Sequence, residues 1–144
     1  RYRDVFSSLN ARGCKYVVIG EVAAVVHGVP RATFDVDLLI EATLSNSQLL
    51  IESLRESGFG SAMLITPEEL LTHEIVVFKD RVRLDVQTRT PGLEFQDAWN
   101  HRLEKSVEGV VFWMASREDL IASKRAAGRR IDLEDVAALD QNQV

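Results

Sequence analysis

Val5, Phe6 and Leu9 fall on one helical stripe and Gly13 follows as a stop, so residues 4–12 predict a short helix. Tyr16-Val17-Val18-Ile19 is a β-rich run ending at Gly20 and predicts a buried strand. Ala23, Ala24, Val26 and His27 suit a short helix closed by Gly28. Val29-Pro30-Arg31 predicts a loop, because proline restricts the residue before it. Residues 34–40 return to strand. Leu49, Leu50 and Leu54 share a face within residues 45–57, with Gly58 after them, and predict a helix. Thr66-Pro67-Glu68-Glu69 is a capping box with proline at the first helical position. Residues 75–78 and 82–86 flank Lys79-Asp80-Arg81 as a hairpin. A helix near 93–102 follows Pro91-Gly92, and a strand over 110–114 follows Gly109. Ser116 caps a helix over 117–127, and Gly128 separates it from a last helix beginning near Asp132. The element order predicts a mixed sheet with flanking helices, α+β or α/β in class.

Composition narrows this picture. At 144 residues and 46% hydrophobic content, the expectation is one domain over 1–144, with a core at about 14–115 and C-terminal helices at about 116–144. The longest apolar stretch, Tyr16 to Val26, is interrupted by Glu21 and is too short for a membrane span. No basic-plus-apolar leader opens the sequence, and the single Cys14 rules out an internal disulfide or a multi-cysteine zinc site. The expected compartment is a reducing cytoplasm. A net charge of −5 argues against a uniformly basic nucleic-acid coat. Residues 117–130 nevertheless form a basic segment carrying Arg117, Lys124, Arg125, Arg129 and Arg130. Trp99, Trp113 and Cys14 suit core packing, and His27 suits packing and capping.

The candidate chemistry lies in carboxylates. Asp35 and Asp37 point to one side of their strand while Phe34, Val36, Leu38 and Ile40 point to the other. Such a pair repels unless it is solvated or holds a cation, and hard oxygen donors suit Mg²⁺ or Mn²⁺. In the hairpin, Val82, Leu84 and Val86 face one way and Asp85 the other. If the strands adjoin, three carboxylates meet, as a one- or two-metal phosphate site requires. A strand ending in Gly20 and feeding straight into a helix presents backbone N–H groups to an anion. Acidic clusters also serve metal-dependent phosphohydrolases; the glycine turn ahead of Asp-x-Asp favours transfer from a nucleoside triphosphate.

The segment Gly20 to Ile40, with His27-Gly28, Arg31, Thr33 and Asp35-x-Asp37, resembles the small bacterial branch of the DNA polymerase β nucleotidyltransferase superfamily. Asp85 falls where that family's third carboxylate is expected. Residues 119–124 and the run Arg129-Arg130-Ile131-Asp132-Leu133-Glu134-Asp135 are similar to AbiEii-like toxins of type IV toxin–antitoxin systems. The resemblance implies a nucleotidyltransferase fold and transfer of a nucleoside monophosphate from an NTP. It implies Asp35, Asp37 and Asp85 as catalytic metal ligands for Mg²⁺ or Mn²⁺, with Asp85 also as general base. The nucleotide would meet Gly20, Glu21, Arg31, Thr33 and Lys124. Lys124 reads equally as a solvated helix lysine, and Asp132 and Asp135 read as acids at a helix N-terminus. The acceptor class stays open among RNA, a protein hydroxyl and a small molecule such as an aminoglycoside, and an antitoxin is a candidate partner. Glu21 stands where the family usually has Gly or Ser. Its bulk and charge near a triphosphate would weaken binding or require it to swing away, so a catalytically impaired binding or regulatory protein is the alternative.

Overall fold

The computed structural model describes residues 2–30 and 35–141. Its elements are α1 (Tyr2–Ala11), β1 (Tyr16–Ile19), α2 (Gly20–Val26), β2 (Val36–Ile40), α3 (Leu44–Glu56), α4 (Pro67–Leu70) and β3 (Ile75–Lys79). After these come β4 (Arg83–Gln87), α5 (Phe95–Asn100), β5 (Leu103–Val107), β6 (Val110–Met114), α6 (Arg117–Ala127) and α7 (Arg130–Gln141). A 3-10 turn at Gly60–Met63 precedes α4. The six strands form one mixed sheet in the order β3-β4-β2-β1-β6-β5. This is the mixed sheet with flanking helices that the element order predicts.

Alternation along the strands divides the core. Tyr16, Val18, Leu38, Ile40, Leu84, Val86, Phe112 and Met114 join the larger cluster beneath α1 and α3. Val17, Ile19 and Leu39 join a smaller one with Ala98 of α5. The predicted stripe Val5, Phe6 and Leu9 is buried, and Leu9 is fully so, which stabilises the fold by roughly 1.5–3 kcal/mol for that side chain. The capping box forms at Thr66 and Glu69, and the Ser116 side chain accepts from the Asp119 N–H at 3.2 Å. Cys14 is a buried core residue, and burial pushes its thiol up to about 12. Among the described residues no helix is long and apolar enough to cross a membrane.

One strand, β5, is absent from the sequence pattern. β5 was hidden because Leu103 and Val107 are its only apolar residues; its pairing with β6 supplies the order. The connecting Glu108 and Gly109 both take positive φ, at 51° and 79°, which matches the twist of a tight hairpin. α2 begins at Gly20 itself, so the strand feeds straight into the helix as its sequence predicts. Gly20 has φ 72°, a conformation open to glycine, and lets β1 turn into the helix without an intervening loop.

Candidate active site

Strand register assembles the carboxylates. β1 and β2 run antiparallel with Ile19 opposite Asp37, and β2 and β4 run parallel with Asp37 opposite Asp85. The same row ends at Val77 of β3. Leu38 and Ile40 face the larger cluster, so Asp37 projects to the other side, where Gly20 opens α2. A methyl group added at Gly20 would lie 2.4 Å from Asp37 Oδ2 and 3.1 Å from its Cβ. Glycine there serves two purposes: its φ makes the turn, and its missing side chain makes room for the carboxylate.

The electrostatics of this row are unfavourable. Burial first and the neighbouring Asp85 charge second push the Asp37 carboxyl up to about 6, and the Gln87 side chain and Arg83 only partly oppose them. Arg83 grips Asp85 with two hydrogen bonds, Nε to Oδ1 at 2.8 Å and Nη2 to Oδ2 at 3.2 Å. Its guanidinium also stands 4.0 Å from the exposed Asp35. Asp35, Asp37 and Asp85 therefore gather at the start of β2 and on its neighbour β4, with an arginine as local counter-cation. Among the described residues no three acids, histidines or cysteines are drawn close enough to enclose an ion as they stand. The donor chemistry nevertheless suits a hard divalent cation: Asp37 and Asp85 offer carboxylate oxygens in register on neighbouring strands.

Beside Asp37 lies a cleft of about 120 Å³, lined by Gly20, Glu21, Gln87, Lys124, Arg129 and Asp132 among others. Lys124 is not a solvated helix lysine. Its ammonium is buried and donates to Glu21 Oε1 at 3.0 Å, pairs with Asp135 Oδ2 at 2.8 Å and stands 3.7 Å from Asp132. Burial works against its charge, but the bonds from Asp135 and Glu21 outweigh that and its pKa is raised. Burial also pushes Asp132 up, yet the Arg129 guanidinium holds its carboxyl below the usual range. Arg129 contacts it through its backbone N–H at 3.2 Å, Nε at 2.7 Å and Nη2 at 3.1 Å.

Gly20, Glu21, Asp37 and Lys124 thus meet at one cleft, and Asp85 adjoins it through Asp37. Arg31 and Thr33 lie outside the described residues. Asp132 and Asp135 do more than decorate a helix start, and Arg129 was not singled out from the sequence. A signal was present: Asp132, Asp135, Val136 and Leu139 follow i, i+3, i+4, i+7 spacing and are all buried. Acids on the apolar stripe of a helix need a buried partner, and Lys124 is on the equivalent stripe of α6 with Leu120 and Ser123. His27 packs as expected, its Nε2 at 3.0 Å from the Ala115 carbonyl.

Comparison with known proteins agrees with this architecture. An antigenic nucleotidyltransferase-like protein from Paracoccidioides brasiliensis is 19% identical, with a TM-score of 0.60 over 94% of this chain and 71% of that one. A candidate nucleotidyltransferase from Thermotoga maritima is 16% identical, with a TM-score of 0.58 over 97% of this chain and 88% of that one. At these identities the likeness establishes the fold. A search among curated proteins finds no match. The model of the family described as nucleotidyltransferase of unknown function (DUF6036) matches residues 4–141, and the chain belongs to that family.

Proposed function

We propose that the protein is a metal-dependent nucleotidyltransferase that moves a nucleoside monophosphate from an NTP to a hydroxyl-bearing acceptor and releases pyrophosphate. The observation that carries this reading is the register of Asp37 against Asp85 beside Gly20, at the mouth of a cleft holding Lys124 and Arg129. Asp37 and Asp85, with Asp35, are the residues that would hold Mg²⁺ or Mn²⁺, which supplies charge neutralisation at the reacting phosphate when bound. Asp85 takes the proton of the acceptor hydroxyl as its oxygen bonds to the α-phosphorus. The bond from that phosphorus to the bridging oxygen breaks, and the electron pair leaves with pyrophosphate. Lys124 and Arg129 supply charge-assisted donors to the phosphates, as Arg31 and Thr33 would from the preceding loop. Within this reading the protein acts in the cytoplasm on RNA, a protein or a small molecule. The likeness of residues 119–135 to AbiEii-like toxins supports a toxin role with an antitoxin partner.

A second reading, a binding or regulatory relative without turnover, is favoured by the Glu21 carboxylate seated on Lys124. Incubation with each of four α-labelled NTPs, with and without Mg²⁺ or Mn²⁺, separates the two. The transferase reading expects metal-dependent label transfer and release of pyrophosphate. Folded protein that binds none of the four NTPs in the presence of metal would falsify it, and release of free phosphate instead would indicate a hydrolase.

A further inference from the structure

Three carboxylates surround Lys124, and they are not equivalent. Asp135 is sealed, with 0% side-chain exposure, and Asp132 is 2% exposed and committed to Arg129 by three contacts. Glu21 retains 26% exposure and lines the cleft beside Asp37. Lys124 itself is 6% exposed. An anion entering from the cleft therefore reaches the ammonium where Glu21 Oε1 now sits, 3.0 Å away.

We propose that Glu21 is an internal anion that occupies Lys124 in place of a ligand phosphate, so that a polyphosphate binds only as Glu21 swings out. This rests on the phosphate-binding reading of the cleft and adds a gate to it. The side chain can make the exchange by rotation about its own bonds, leaving the turn at Gly20 in place. Glu21 is also a weak competitor for this seat. Burial and the adjoining Asp135 carboxyl both disfavour its charge, and Lys124 only partly compensates. A polyphosphate brings several oxygens and more charge to the same ammonium. A fixed strut joining α2 to α6 would predict the opposite behaviour: loss of Glu21 would loosen the helices without opening an anion site.

The test is calorimetric titration of the full chain with sodium tripolyphosphate in EDTA, which needs neither metal nor nucleobase. Glu21→Gln keeps the size and polarity of the side chain and removes its charge; Glu21→Ser also clears the space. Both are expected to bind tripolyphosphate at least about tenfold more tightly than the natural chain, the scale of one charge-assisted contact. Equal affinity in all three proteins overturns the proposal. The Lys124 Cε resonance provides a readout that does not depend on affinity. In Glu21→Gln it is expected to move on titration, at lower tripolyphosphate than in the natural chain, and a resonance that stays still while the ligand binds elsewhere overturns the proposal. Failure of nucleotide transfer with the gain intact would sink the transferase reading alone. Transfer without the gain would sink this one.

Discussion

The acidic row on β2 and β4 and the ion cluster joining α2, α6 and α7 both gather carboxylates, and they satisfy them differently. In the cluster, Glu21, Asp132 and Asp135 share Lys124 and Arg129, so each buried charge has a close partner of opposite sign. In the row, Asp37 faces Asp85 while the nearest guanidinium is committed to Asp85, and Asp37 responds by holding its proton up to about pH 6. The sealed pairs of Asp132 and Asp135 are built to persist, and Glu21 is the exchangeable member. The row costs free energy as it stands, because a buried carboxylate lies beside a like charge.

This contrast breaks most clearly at Lys124. Lys124→Met should leave buried acids without their cation and cost about 3–5 kcal/mol in urea unfolding at neutral pH. A cost near zero would show that the cluster does not hold the helices together.

The opposite sign is expected at Asp37. Its folded pKa of about 6 lies above the ordinary aspartate value of 3.8, so the native state binds the proton more tightly than the unfolded chain. This contribution to stability is present below about pH 4 and lost as pH rises through 6. Asp37→Asn should flatten that slope and, in EDTA at pH 7, stabilise the protein by up to about 3 kcal/mol. Chemical denaturation from pH 4 to pH 7 on both proteins measures it, and parallel slopes would contradict the strained row.

The smallest of these effects sharpens the junction between the two regions. Gly20→Ala places a methyl group against Asp37 and forces a positive φ on alanine, for a loss of about 1–2 kcal/mol. Combining it with Asp37→Gly removes the clash but keeps the backbone strain. A double-mutant cycle therefore reads the contact separately from the turn.

Much of the fold was legible because its signals are local. The stripe in α1, the Thr66–Glu69 box, the Ser116 cap and the hairpin over β3 and β4 each depend on residues a few positions apart. β5 was not, since a strand with the burial pattern of Leu103–Val107 gains its order from β6 and not from its own composition. At the site, the alternation of Asp35, Asp37 and Asp85 with apolar neighbours marked them as misplaced charges before any partner was visible. Lys124 was ambiguous because a lysine on a helix is usually solvated; the acids on the apolar stripe of α7 held the missing information.

The sequence by itself determined the order of the principal elements, the side of the strand on which each aspartate projects and the glycine that turns β1 into α2. These follow from backbone sterics and from periodicity, which act over a few residues. Only the tertiary structure decided that Asp37 stands opposite Asp85, that α6 and α7 bring their charges to the same cleft, and that Glu21 meets a lysine 103 positions away. Those contacts depend on strand order and helix packing, which no short window contains. In particular, whether a charge is solvated, paired or left wanting is set by what the rest of the chain places beside it.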